Sequence, residues 1–100
     1  MILTGAPISA KEAKAAGLVS RIVPRTELPD AALALARSIA ANAPLAVRAS
    51  LAIARKAHDL TDYDLSALSL IASDKALKSE DFAEGARAFI EKREPCWTGR

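Results

Sequence analysis

The residue types that move protons, attack carbonyls or bind metals are few in this sequence, and they are scattered. His58 is the only histidine. It stands beside Asp59 near an expected helix C-terminus, where the helix dipole favours a cation. Acid–base or nucleophilic work by an imidazole needs a partner within hydrogen-bond reach; no serine or cysteine is identifiable as that partner, so His58 reads as structural. Cys96 follows Pro95 with no base near it in the sequence and reads as inert. A single cysteine excludes an internal disulfide, and one Cys with one His excludes a Cys/His metal cluster, so no metal ligand set is expected. The pairs Asp62/Asp64 and Glu80/Asp81 have the composition of a general acid and base. Both stand where helices are expected to begin, and capping accounts for them. Gly5, Gly17, Gly85 and Gly99 are too dispersed for a phosphate-cradling loop. Residue chemistry alone assigns no catalytic residue to this chain.

The last segment is the exception. Within residues 82–93, Phe89 and Lys92 are three apart and hence neighbours on one helical face. An aromatic ring can pack on a base while an ammonium beside it meets a phosphate; the alternative is a core Phe next to a solvated Lys. The spacing leaves both open. Gly85 inside a helix costs about 1 kcal/mol relative to Ala, which points to close backbone approach.

The elements that must position these residues are mostly helical. Residues 1–5 read as the end of a helix, with Gly5 as its cap. Ser9 and Glu12 have the spacing of a capping box, and Gly17 closes the short helix that follows. Residues 18–23 alternate at Val19, Arg21 and Val23 and predict one short strand, stopped by Pro24. A lone strand has no partner for its backbone groups. Leu28, Ala32, Leu35 and Ile39 then share a helical face. A second helix is expected over 45–58, apolar on much of its circumference, as a helix sandwiched between neighbours would be. Asp62 or Asp64 caps a third helix carrying Leu65, Leu68, Ile71 and Leu77. Ser79, Glu80 and Asp81 open the last one, whose buried stripe is expected to be Phe82, Ala86, Phe89 and Ile90, with Pro95 ending it and Trp97, Gly99 and Arg100 in a tail.

Composition agrees with helices. Alanine, the strongest helix former, occurs 23 times, while aromatic residues make up 4%. With 51% hydrophobic and 26% charged residues and a mean hydropathy of +0.12, the chain is too apolar for disorder. At 100 residues it forms one domain with a modest core. The net charge of +2 is not concentrated in a basic patch, so nucleic acid is not an expected partner. No apolar run approaches the roughly 18 residues of a membrane span, and a cytoplasmic location is expected. Wide apolar arcs and an unpaired strand imply self-association.

The order of these motifs resembles a known family. Leu3-Thr4-Gly5, Ile8-Ser9-Ala10-Lys11-Glu12-Ala13, and the run from Ala16 to Pro24 are similar to the stretch after the active site in enoyl-CoA hydratases/isomerases, the crotonase family. Ala43-Pro44-Leu45-Ala46 resembles its next helix junction. Ser79-Glu80-Asp81 with Glu84-Gly85, then residues 88–95 and Trp97-Thr98-Gly99-Arg100, resemble its C-terminal signature and tail. The resemblance implies a mostly α fold, the C-terminal helical (trimerisation) region of a crotonase-type protein with one short strand near its N-terminus. Residues 1–24 would be the end of the spiral core, and 25–100 the helical oligomerisation part. It implies a parent enzyme that hydrates 2-trans-enoyl-CoA thioesters, with a backbone oxyanion hole and catalytic glutamates lying upstream, so that the chain alone is inactive. It implies a homo-oligomer, trimer or hexamer, and no cofactor beyond the coenzyme A carried by the substrate. Phe89 and Lys92 match the positions that reach the adenine and phosphate end of CoA in a neighbouring subunit. The residues 91–97 also resemble relatives acting on crotonobetainyl-CoA or carnitinyl-CoA, and the resemblance leaves an enoyl-CoA isomerase as a further alternative. A free-standing, non-catalytic helical oligomerisation module is the alternative of another class.

Overall fold

A computed structural model describes residues 2–100; Met1, the first of the residues expected to end a helix, lies outside them. The described residues form five α-helices and one 3₁₀ turn, with no strand among them. The helices are α1 (Ala10–Ala15), α2 (Leu28–Ala40), α3 (Pro44–Ala54), α4 (Asp62–Leu77) and α5 (Glu80–Glu91), and the 3₁₀ turn Arg25–Glu27 precedes α2. The chain divides into two compact units, Met1–Leu35 and Ala36–Arg100.

In the first unit, local chemistry explains α1 from end to end. The Ser9 hydroxyl accepts from the Glu12 N–H (3.2 Å), and the Glu12 carboxylate accepts from the Ser9 N–H (2.7 Å) and hydroxyl (2.6 Å). These bonds, the hydroxyl's above all, hold the Glu12 carboxyl below its ordinary pKa. At the other end Gly17 is left-handed (φ 73°), the Leu18 N–H reaches the Ala13 carbonyl (2.8 Å) and the Gly17 N–H the Lys14 carbonyl (3.1 Å). This is a Schellman closure with glycine where an L side chain would be strained. The strand expected over 18–23 does not form. A strand exists only as a hydrogen-bonded ladder, and no second β segment is present among the described residues. Leu18, Val19 and Val23 instead line a shallow cleft with Leu28, Ala32 and Leu35.

In the second unit α3 packs on α4 and α4 on α5. Pro44 begins α3, where its missing N–H is harmless. That helix ends at Ala54, short of the expected His58. Residues 55–60 tighten into i→i−3 bonds such as Lys56 N–H to Ile53 O (2.9 Å) and Ala57 N–H to Ala54 O (3.2 Å), the usual way a last turn satisfies its orphan groups. Thr61, not Asp62 or Asp64, caps α4: its hydroxyl accepts from the Asp64 N–H (3.2 Å) and donates to the Asp64 carboxylate (2.6 Å). Leu65, Leu68, Ala72 and Ala76 are the half-buried face of α4, whereas Ile71 and Leu77 are exposed.

The stripe expected on α5 is inverted. Phe82 (54% exposed), Ala86, Phe89 (86%) and Ile90 (78%) face solvent, while Asp81 and Ala88 (2% each) are the buried residues. The apolar periodicity is real, but what covers α5 within this chain is the tail, and it covers the opposite face.

Candidate functional site

The tail is built onto α5 through two carboxylates one turn apart. Ser79 caps the helix, its hydroxyl accepting from the Phe82 N–H (3.1 Å). Asp81 follows in the first turn and accepts three groups from the tail: the Thr98 N–H (2.6 Å), the Gly99 N–H (3.0 Å) and the Thr98 hydroxyl (3.2 Å). The Arg100 main-chain oxygen accepts from the Glu80 and Asp81 N–H groups (2.7 and 3.3 Å), satisfying donors that a helix start leaves orphaned.

Glu84, three residues on, holds the other end of the tail. Arg93 donates to both of its oxygens (2.6 and 3.0 Å), a bidentate pair, and the Cys96 N–H adds a third bond at 2.8 Å. Arg93 also donates to Glu91 (2.6 Å) and to the Glu94 carbonyl (3.0 Å). The Arg93 guanidinium and then the Cys96 N–H hold the Glu84 carboxyl down at about 2. In return Glu84, and after it Glu91, push the Arg93 guanidinium still higher, so it is always charged.

Between these anchors the Trp97 indole crosses α5 at Gly85. A Cβ at Gly85 would lie 3.2 Å from Trp97 Cη2 and 3.4 Å from Cζ3, so what approaches this glycine is a tryptophan ring and not the backbone expected there. The indole N–H donates to the Ala41 carbonyl (2.8 Å), beyond the end of α2. The ring, Phe82, Leu45 and Ala43 line a groove of about 310 Å³.

The two residues predicted to meet CoA sit where α5 gives way to the tail. Phe89 is in the last turn, with its ring in solvent. Lys92 lies one position past the helix, in the left-handed conformation (φ 54°), the only non-glycine residue with positive φ among those described. Its N–H reaches the Phe89 carbonyl (3.4 Å), and the Arg93 N–H reaches the Ala88 carbonyl (3.1 Å). That is the bond pattern which closes α1 at Gly17, here with lysine in place of glycine, at a steric cost of about 1–2 kcal/mol. The Lys92 side chain is exposed and makes no ion pair or hydrogen bond among the described residues.

The other candidates are placed apart. His58 is exposed in the turn after α3, Cys96 is exposed with its N–H on Glu84, and Asp62 and Asp64 occupy the first turn of α4. Among the described residues no three His, Cys, Asp or Glu side chains gather where a metal ion would sit. Among the described residues no helix is long and apolar enough to cross a membrane. The structure adds two roles that residue chemistry did not assign: Asp81 and Glu84 as anchors of the tail. Nothing local marks them, since partners nine to eighteen residues away follow no helical spacing; the only sign is their place in the ordered C-terminal motif.

Comparison with known proteins fits this geometry. The family described as Enoyl-CoA hydratase/isomerase matches residues 1–100. Carnitinyl-CoA dehydratase of Proteus mirabilis is 42% identical over 104 residues, covering all of this chain and 40% of that protein; the Salmonella paratyphi A protein of the same name is 38% identical with the same coverage. The chain thus spans about two-fifths of the length of the curated relatives it matches. Among solved structures, enoyl-CoA hydratase from Bacillus anthracis superposes with a TM-score of 0.91 at 35% identity, covering 99% of this chain and 38% of that one. A putative enoyl-CoA hydratase/isomerase from Mycobacterium abscessus gives 0.88 at 40% identity, covering 98% and 40%. Nearly the whole chain superposes on these structures, and it belongs to the enoyl-CoA hydratase/isomerase family.

Proposed function

We propose that this chain is the C-terminal helical part of an enzyme that hydrates 2-trans-enoyl-CoA thioesters, and that it contributes assembly and one end of the CoA site. Residues outside the chain would supply the oxyanion hole that stabilises enolate-like charge and the carboxylates that add water. Coenzyme A enters as part of the substrate, with no further cofactor. Residues 1–24 close the spiral core in this reading, and 25–100 form the oligomerisation part of a cytoplasmic trimer or hexamer. The open apolar faces on α2, α4 and α5 support it, because side chains such as Ile39, Ile71 and Ile90 stand exposed among the described residues.

The observation that carries the CoA role is the end of α5. An exposed aromatic ring and an unpaired ammonium on a strained backbone are what a protein keeps for a nucleotide ring and a phosphate rather than for its own core. Phe89 and Lys92 reach from one subunit to the adenine and phosphate end of CoA held by its neighbour. In the enzyme carrying this sequence, Lys92→Ala is expected to raise KM for crotonyl-CoA about tenfold, the effect of one charge-assisted contact, with kcat kept. An unchanged KM removes Lys92 from the site.

A second reading keeps the site and changes the acyl group. The curated relatives named carnitinyl-CoA dehydratase, at 42% and 38% identity, favour carnitinyl-CoA as substrate of the parent. Comparing kcat/KM for carnitinyl-CoA and crotonyl-CoA on the same preparation decides between them.

A further inference from the structure

We infer that Glu84 and Arg93 are positioning residues for Lys92: their ion pair closes the tail on α5 and holds Lys92 in the left-handed cap from which its ammonium is presented. This rests on the reading above that Lys92 meets the phosphate end of CoA.

Two helices in this chain end with the same pair of bonds, and only one of them uses glycine. At α1 the left-handed residue is Gly17, and the residue after it, Leu18, has no side-chain anchor. At α5 the left-handed residue is Lys92, and the residue after it is the most heavily bonded side chain in the tail. A lysine left to itself prefers the right-handed region. With Arg93 released, α5 is free to wind on by a residue, turning the Lys92 Cβ by roughly 120° about its N–Cα bond relative to the present cap. The bidentate grip on Glu84 opposes this, because Arg93 cannot keep both bonds if the residue before it changes handedness. The Cys96 N–H on Glu84 and the Trp97 ring on Gly85 fix the next turn of the tail in the same register.

Arg93 does a second thing for Lys92. Glu91 is the acidic residue that precedes Lys92 in the chain. Arg93 Nε occupies that carboxylate at 2.6 Å, which leaves the lysine free for a ligand.

The test is a cycle in the enzyme carrying this sequence, with crotonyl-CoA as the probe. Glu84→Gln, Arg93→Gln and Lys92→Ala are each expected to raise KM about tenfold with kcat kept, and Glu84→Gln/Lys92→Ala to be no worse than Lys92→Ala alone. If Lys92→Ala raises KM but Glu84→Gln does not, or if the two effects multiply in the double variant, the positioning role is overturned while the CoA reading stands. If Lys92→Ala leaves KM unchanged, the CoA reading falls and the inference with it. A second measurement is independent of turnover: the Cα and Cβ chemical shifts of Lys92 in the 100-residue chain are expected to move from left-handed to helical values in Glu84→Gln. Shifts that stay left-handed overturn the role on their own.

Discussion

Asp81→Ala should detach the end of the tail without melting the helix that holds it. The carboxylate accepts two main-chain N–H groups, at 2.6 and 3.0 Å, and a hydroxyl at 3.2 Å, on a residue only 2% exposed. A hydrogen bond to a charged acceptor contributes about 1.5–3 kcal/mol. Two such bonds at the lower end of that range come to about 3 kcal/mol, with the long hydroxyl contact adding little. The loss stops there, since a freed tail gives its N–H groups to water instead of leaving them buried. Asp81→Asn keeps one acceptor oxygen and loses the charge, so about half the effect is expected. Glu80→Gln is the control: it sits at the same positive helix end but takes only the Thr98 hydroxyl and an Arg100 contact at 3.7 Å, and its cost should stay within about 1 kcal/mol. The assay is hydrogen exchange at the Thr98 and Gly99 amides, read beside the emission of Trp97, the only tryptophan. A loss of about 3 kcal/mol corresponds to exchange roughly a hundred times faster, with emission shifting to the red while helical circular dichroism is retained. Equal exchange rates in Asp81→Ala and the parent chain would refute the reasoning.

Three other outcomes follow from the same contacts. Glu84 titrates at about 2 in the folded chain, below its unfolded value of roughly 4.3, so its contribution is complete above that value and is lost as pH falls toward 2; Trp97 emission should report tail release across that window, and Glu84→Gln should abolish the part of the transition due to this carboxylate. Gly85→Leu places a branched side chain where Trp97 lies 3.2 Å from a bare Cβ, and is expected to expose the indole and break its bond to the Ala41 carbonyl, seen as red-shifted emission. Lys92→Gly relieves the left-handed strain and should stabilise the chain by about 1 kcal/mol in urea unfolding, whereas Gly17→Ala, at the equivalent point of α1, should destabilise it by a similar amount.

What could be read from the sequence was what neighbouring residues decide between themselves. The Ser9–Glu12 box, the Gly17 closure, Pro44 at the start of α3 and Ser79 at the start of α5 are settled within a few residues, and the structure has each of them. Fold class followed, because alanine-rich amphipathic segments have few other options. The features that went astray all depend on a partner. Residues 18–23 have the alternation of a strand and nothing to pair with among the described residues. The stripe of Phe82, Ala86, Phe89 and Ile90 is a genuine apolar face, but periodicity marks only that a face wants cover, not whether the cover belongs to the same chain. Asp81 looked like a capping carboxylate because its position in α5 is that of one; its burial under Thr98 and Gly99 is a long-range fact with no local signature. For the proposed CoA contact, Phe89 and Lys92 come from spacing and resemblance, whereas the left-handed turn at Lys92 and the Arg93 bond to a glutamate nine residues back have no local signature.

The most direct single measurement is the solution mass of the chain across a concentration series by light scattering or sedimentation. With Leu70, Ile71, Phe89 and Ile90 in solvent and only Ala88 and Asp81 buried among the described residues, a mass that climbs above 10.5 kDa toward a defined oligomer is expected. A compact 10.5 kDa monomer at every concentration would contradict the claim that these helices are built to be covered by other subunits.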